Sequence, residues 1–296
     1  MSSEFNPVRV RDKYADFNGK IKEQMQLLLA DGRYPMFTRE LAEQRVQGRG
    51  LGRYVDTGDL ITYNGKGDNQ EIRFILTANR QGLTEVGRFA LGLINPYSDY
   101  MNGALDLTKA KDAPGKDVNG AYDAISGSGE IVVKRKEIIG ARMTQEQVLN
   151  HKGWRILLRH PDEVPAEFAE DFEGAKEYIG KVVFSRYDPA MGMFLSDGEK
   201  VPTLRAWCVY GLGGSDGSDA IGRYRLVDDG GCSVGVAPGA PNALGNVEQR
   251  VASPERRILT VDEVLEETSQ TSAYAPDQIK KLQNILDQRG YVISVK

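Results

Sequence analysis

The chain has 296 residues, of which 40% are hydrophobic and 27% are charged, so it can bury the core of one large domain or two modest ones. Its formal net charge of −4 argues against a nucleic-acid partner, because such binders usually carry a basic excess. It has no apolar run of the ~18 residues that span a membrane and no signal-peptide core at its start, so we expect a cytoplasmic protein with no membrane partner.

Two histidines and two cysteines limit the chemistry that this chain can perform. His151 and His160 would lie half a turn out of phase on one helix, so they make a poor metal pair. Cys208 and Cys232 fall on the first and third strands of a predicted meander, about 9–10 Å apart, whereas a disulfide needs Cα atoms within about 7 Å. We predict free thiols, no metal site and no cofactor. The sequence leaves open whether the chain is an enzyme.

The residue pattern in the first part of the chain predicts two helices followed by a small sheet. Apolar residues recur at three- and four-residue steps through 12–32, which predicts one amphipathic helix. Thr38 is placed to cap a shorter helix over 39–46, so the two helices are predicted to form a hairpin. Strand patterns at 59–64 and 71–78 flank a turn and predict a β-hairpin.

The middle of the chain alternates between loop and helix signals. A helix capped by Thr84 precedes 95–129, which is rich in Asn, Asp, Gly, Lys and Ser and predicts a long ordered loop or a flexible insertion. Thr144 and Gln147 form a capping-box pattern at the start of the next helix. The remaining predicted elements are a strand over 130–139, a second helix over 165–180, strands over 181–187, 191–196, 203–210, 221–227 and 232–237, and a last helix over 277–289.

This order of elements is not a regular alternation of strand and helix, so it predicts an α+β fold rather than a doubly wound parallel sheet. In detail, we expect an N-terminal helical hairpin with a small sheet, then helices packed on a mainly antiparallel β-meander, and a C-terminal helix. The corresponding regions are 1–140, 141–250 and 251–296, which can also form one domain.

A glycine-rich stretch, VYGLGGSDGSDAIGRYRL, occupies 209–226 between two predicted strands. A dinucleotide-binding loop needs a third glycine followed by a helix, but Asp216 stands in that place and a strand pattern follows. A Walker loop and a calcium loop are excluded as well, because Gly-Lys-Ser/Thr and the alternating aspartates are missing. We predict a hairpin connection over 211–220 whose glycines favour mobility.

A second glycine cluster, QGRGLGRY at 47–54, follows the predicted helix 39–46. Arg45, Arg49 and Arg53 recur every four residues through it. One interpretation is a helix stop with solvated arginines. The other is an anion site built from backbone N–H groups and arginine side chains.

Two functional hypotheses follow. The first is a non-catalytic binding or assembly protein that contacts a protein partner, or a second copy, through loops 95–129 and 211–220. The second is an enzyme or sensor that binds a phosphorylated small molecule or a nucleotide. Its predicted ligand-binding residues are Arg45, Arg49, Arg53 and Arg223.

Overall fold

The computed structural model describes residues 13–63, 70–126, 131–138, 140–196, 200–213, 217–222 and 226–238. The chain separates into two units, Met1–Pro241 and Asn242–Lys296. The second unit, with the predicted helix over 277–289, lies outside the described residues. The described part combines helices with mainly antiparallel sheet, so it is an α+β fold, as predicted.

The helices of the described residues are short. They are α1 Ile21–Ala30, α2 Thr38–Val46, α3 Glu85–Gly92, α4 Ala121–Ser126, α5 Arg135–Ile138, α6 Gln145–Asn150, α7 Lys152–Leu157, α8 Glu173–Glu177 and a π-helix Tyr178–Val183. The strands are β1 Tyr14–Asn18, β2 Tyr34–Pro35, β3 Val55–Tyr63, β4 Glu71–Leu76, β5 Ala78–Asn79, β6 Gly82–Leu83, β7 Tyr100–Met101, β8 Ala104–Asp106, β9 Lys111–Ala113, β10 Lys116–Asp117, β11 Ile131–Lys134, β12 Met193–Phe194, β13 Thr203–Val209, β14 Ala220–Ile221 and β15 Cys232–Val236.

The main sheet has the strand order β11-β4-β3-β13-β14-β12; in addition β8 pairs with β13, and β7 pairs with β8. It takes strands from both sides of residue 140. Its centre is the predicted hairpin, in which β3 and β4 pair antiparallel. Every residue of β3 and of β13 is buried, because helices cover both faces of the sheet.

The core lies on the two faces of this sheet. Ile61 and Phe74 point into one hydrophobic cluster, which α2, α6, α7, α8 and the π-helix complete. Leu60 and Ile75, their neighbours along the same strands, point into a second cluster with α1, α3 and α4. This alternation is the two-residue period of a strand buried on both sides. Within the ranges described, no helix combines the length and the apolar composition needed to cross a membrane.

A separate three-stranded sheet has the order β1-β15-β2, and it corrects three predictions. The predicted helix over 12–32 begins only at Ile21, because Gly19 adopts a φ of +125° and the preceding residues pair with β15. The strand over 232–237 was predicted in a meander with 203–210, but it lies between β1 and β2 instead. Strand β2 also separates α1 from α2, so the two helices do not form a simple hairpin.

Several helices and strands between residues 130 and 187 begin or end at residues other than those predicted. The capping box of Thr144 and Gln147 is present, as predicted, but α6 ends at Asn150 and α7 starts after His151. The predicted strand over 181–187 is wrong, because Val182 and Val183 continue the buried helical face of the π-helix. The predicted strand over 130–139 ends at Lys134, where α5 begins.

Candidate functional site

The two glycine-rich stretches of the sequence meet in the fold. Helix α2 ends at Val46, and Gly48 and Gly50 follow with φ values of +78° and +62°, which favour glycine. The backbone N–H of Leu212 donates to the carbonyl of Leu51 at 2.5 Å. A Cβ on Gly211 would lie 2.6 Å from the carbonyl carbon of Gly52. The two backbone segments can therefore come this close only because residue 211 has no side chain. We call residues 48–53 and 211–213 the glycine junction.

Arg45 lies beneath the glycine junction with 1% of its surface exposed. Its guanidinium donates to the Tyr178 hydroxyl and to Ser218 Oγ, both at 3.0 Å, and to the carbonyl of Arg53 at 2.8 Å. Among the described residues it has no carboxylate partner. Arg45 therefore joins α2, the π-helix and the stretch 211–220 through neutral acceptors, and it is not presented to a ligand.

The other predicted ligand-binding residues have different environments. The Arg53 guanidinium forms an ion pair with Asp16 at 2.8 Å and donates to Cys232 Sγ at 2.8 Å. Arg49 is exposed and donates to Gln44 Oε1 at 3.3 Å. Arg223 lies outside the described residues. The structure therefore does not direct the three described guanidinium groups at one ligand, and anion binding stays a prediction that rests on Arg49.

The second half of 211–220 is held in place by Asp219. Its carboxylate pairs with Arg142 at 2.8 Å and accepts from the backbone N–H of Gly192 at 2.7 Å. Strand β14 then pairs antiparallel with β13, so the predicted hairpin is present. Residues 217–220 are buried, and Gly213 is the one exposed residue among those of 211–220 that the structure describes.

Residues 95–126, which we call the arm, form an ordered segment. Its β8 pairs with β13 and its α4 packs into the second core cluster, whereas the residues around Tyr97 and the β9–β10 hairpin lie at the surface. Asn95 is its buried anchor: its Nδ2 donates to the carbonyls of Lys111 at 2.7 Å and Gly92 at 2.9 Å. Its Oδ1 accepts from the backbone N–H groups of Tyr97 at 2.9 Å and Ser98 at 3.1 Å. The buried Ser98 hydroxyl also donates to the carbonyls of Leu93 and Lys111. Two buried polar side chains thus fix the backbone of the arm.

The arm presents an aromatic side chain and a polar hairpin to solvent. Tyr97 is 48% exposed, and only Leu27 and Val132 are comparably exposed large hydrophobic residues among those described. Beyond it, β9 and β10 form a small hairpin whose turn and second strand are exposed. The exposed parts of the arm, around Tyr97 and at the β9–β10 hairpin, therefore lie on a fixed backbone. Residues 127–129 of the predicted loop lie outside the described part.

A polar cleft of about 430 Å³ lies between α2, the β5–β6 turn and residues 167–171. Arg80 bridges Glu43, at 2.5 Å, and Glu170. The buried Arg39 lies 3.4 Å from Glu43 and 3.7 Å from Glu170. The four charged groups compensate one another, so they hold the walls of the cleft together.

The described residues hold no arrangement typical of a hydrolase or a metal enzyme. His151 Nδ1 accepts from the backbone N–H of Trp154, and burial lowers the pKa of His151. The His160 ring packs edge-on against Phe172, and its pKa is also lowered by burial. Both cysteines are free and buried, and burial raises the pKa of each thiol, which makes them poor nucleophiles. Within the described ranges no group of three His, Cys, Asp or Glu residues is placed to hold a metal.

No protein-family model and no curated protein matches the chain. A solved chain, described as "Accommodation of massive sequence variation in Nanoarchaeota by the C-type lectin fold", is similar to it. The two are 16% identical, the match covers 77% of this chain and 99% of that one, and the TM-score is 0.49. A likeness of this extent assigns no function, so function has to be argued from the residues themselves.

Proposed function

We propose that the protein is a non-catalytic binding or assembly protein whose main contact surface is the arm. The observation that carries this proposal is the exposed Tyr97 on a loop whose backbone the buried Asn95 holds. The exposed part of the glycine junction, Gly48 to Gly50 with Gly213, is a second contact region. A cytoplasmic location and the lack of a nucleic-acid partner belong to the same proposal.

An ordered loop makes a better contact surface than a mobile one, because the entropy of ordering it is not lost on binding. Tyrosine contributes a large apolar ring and a hydroxyl, and it is enriched among the residues that dominate binding energy. The hydrogen bonds of Asn95 and Ser98 fix the backbone on both sides of Tyr97 without using its side chain. The arm therefore leaves the Tyr97 ring available to a partner.

The contacts of the histidines, the thiols and the charged groups of the cleft support a non-catalytic role. The two histidines cap or pack against neighbouring elements, and the two thiols are buried. The charged groups of the cleft are committed to one another. The Cys208 thiol faces the Asp56 carboxyl, but burial raises the pKa of this thiol, which makes it a poor nucleophile.

The test is a comparison of Tyr97→Ala with Val132→Ala, a matched loss of an exposed apolar side chain on β11. Self-association is measured by sedimentation velocity across a range of concentrations, and binding of a protein partner by capture from a native extract. We expect Tyr97→Ala to weaken the association about tenfold or more and Val132→Ala to leave it unchanged. An unaltered Tyr97→Ala complex, or a wild type that is monomeric and captures nothing, contradicts the proposal.

The anion-binding alternative retains one specific observation. Arg49 is exposed beside Gly50, Leu51 and Gly52, and the N–H groups of these three residues have no hydrogen-bond partner among the described residues. Backbone N–H groups next to an arginine suit a phosphate. Thermal-shift titration with inorganic phosphate and nucleotides tests it, because binding to the native state raises the melting temperature. The shift should disappear in Arg49→Ala and persist in Arg88→Ala, which removes an exposed arginine of α3.

A further inference from the structure

The described part of the chain buries several carboxyl groups. The surroundings of Glu40 and Asp56 differ from those of Asp59. Asp59 on β3 pairs with the guanidinium of Arg159 at 2.7 Å and accepts from the backbone N–H of Thr38 at 2.7 Å. Its charge is therefore compensated. Glu40 and Asp56 have no such ion pair with a cation among the described residues, although they are buried to a similar degree.

Glu40 on α2 is 5% exposed. Its Oε1 accepts from the Tyr34 hydroxyl of β2 at 2.8 Å, and its Oε2 is buried with no hydrogen-bond partner in the described structure. Burial raises the pKa of Glu40 to about 7. The groups that face it are Tyr34 on β2, Tyr14 on β1, Lys13 beside β1, Glu43 on α2 and Arg80 in the β5–β6 turn.

Asp56 on β3 is 1% exposed. Its Oδ2 accepts from the backbone N–H of Cys232, the first residue of β15, at 2.7 Å, and its Oδ1 is buried without a hydrogen-bond partner among the described residues. Burial raises the pKa of Asp56 to about 6. The groups that face it are the thiols of Cys208 on β13 and Cys232 on β15, with Tyr54 just before β3.

Both carboxyl groups therefore lie in one seam, between the three-stranded sheet and the body of the molecule formed by α2 and β3. Glu40 reaches from α2 to β2, and Asp56 reaches from β3 to β15. Each buries one oxygen that has no hydrogen-bond partner by distance and angle among the described residues, although the Cys208 thiol faces the Asp56 carboxyl and favours its ionised form. The ion pair of Arg53 with Asp16 also crosses the seam and lies nearer to solvent, whereas Val234 and Val236 of β15 pack in the same buried cluster as α2.

We propose that this seam is a pH-responsive latch: the three-stranded sheet is held against the body while Glu40 and Asp56 are protonated, and ionisation of the two carboxyl groups weakens its docking. Each ionisation transfers one proton to water and leaves a buried carboxylate that forms no ion pair among the described residues, although Lys13 and Arg80 face Glu40 at longer range. Opening the seam brings that carboxylate into water, so the charged form favours the open state.

The direction with pH follows from linkage. The pKa of each carboxyl is higher when the sheet is docked than when the group is in water, so the docked state binds the protons more tightly. Docking is therefore strongest below the ordinary pKa of a carboxyl group and is lost progressively as the pH rises to about 7 and above.

Hydrogen exchange of the full chain tests the latch. The opening constants of the amides of β1 and β15 are measured at pH 5 and pH 8, corrected for intrinsic exchange rates, with β4 as the internal reference. We expect these constants to rise about tenfold or more relative to β4, because each unit of pKa difference is a factor of ten in the equilibrium.

Variants separate this proton effect from a general loss of stability. We expect the rise of the opening constants with pH to be reduced in Glu40→Gln and in Asp56→Asn and to be abolished in the double variant. Glu146→Gln, which changes an exposed acid on α6, should retain the full rise. An opening constant in the wild type that does not change with pH overturns the proposal, and so does a double variant that keeps the full rise. If Asp56→Asn does not fold, Glu40→Gln and the wild type still decide the question.

Discussion

The stretch 211–220 and the arm have opposite roles in the fold, although both are predicted to be contact loops. The stretch 211–220 has four glycines in ten residues, whereas the arm has three in thirty-two. In 211–220 the polar side chains of Ser218 and Asp219 point inward and bind arginines of distant elements. In the arm, Asn95 and Ser98 bind the backbone around Tyr97, and Tyr97 is left exposed. A glycine-rich composition therefore does not by itself identify the loop that presents a contact side chain.

The largest expected effect is on the 211–220 side, at Arg45. Arg45→Ala removes the donor shared by Tyr178, Ser218 and the Arg53 carbonyl and leaves a cavity, so it should cost about 3–5 kcal/mol of unfolding free energy. Urea denaturation measures the loss. Arg49→Ala, an exposed neighbour, should cost less than about 0.5 kcal/mol. Equal losses in the two variants would show that Arg45 does not support the stretch.

The next effect compares one aspartate from each region. Asp219→Asn removes a charge-assisted pair with Arg142 from a buried site and should cost about 1–3 kcal/mol. Asp99→Asn in the arm should change stability by less than about 0.5 kcal/mol, because its side chain is exposed. Both are measured by thermal unfolding at constant pH. A larger loss for Asp99→Asn would reverse the roles assigned to the two regions.

A smaller effect on global stability is expected at the anchor of the arm. Asn95→Ala removes four hydrogen bonds that are local to the arm and should cost about 1–2 kcal/mol. Amide exchange and limited proteolysis should increase within 95–126 and stay unchanged in 217–220. A uniform increase along the chain would mean that Asn95 supports the whole fold rather than the backbone of the arm.

The smallest effect on stability is expected at Tyr97, where a substitution should change binding without changing the unfolding free energy. Tyr97→Ala should leave the unfolding free energy within about 0.5 kcal/mol of the wild type, since half of the ring is already in water. The same substitution should remove most of the binding. A matched loss of stability would indicate that Tyr97 packs against the fold instead of a partner.

Local signals in the sequence predict much of this fold. Thr144 with Gln147 and Thr84 cap the helices that they are predicted to cap. The hairpin of β3 and β4 follows from its alternating pattern and its turn. Strand β1 is missed because Tyr14 pairs with Val236, and a helical spacing of apolar residues cannot report a pairing over that distance.

The sequence predicts the contacts of a candidate site residue only where its partners lie close to it in the chain. The regular spacing of Arg45, Arg49 and Arg53 suggests one face, but the left-handed backbone at Gly48 and Gly50 sends these side chains to different partners. The anchor of the arm does have a local signal, since Asn-Pro-Tyr-Ser at 95–98 is a turn pattern in which the Asn side chain binds its own backbone. The inward binding of Asp219 depends on Arg142, which is far away in the sequence.

We propose that the arm binds a partner and that its exposed Tyr97 forms the main contact. The most direct test is to measure association and unfolding free energy on the same preparation of Tyr97→Ala, with Val132→Ala as the control. We expect an association at least about tenfold weaker with unchanged stability for Tyr97→Ala, and no change in either quantity for Val132→Ala. Association that is equal in all three proteins would contradict it.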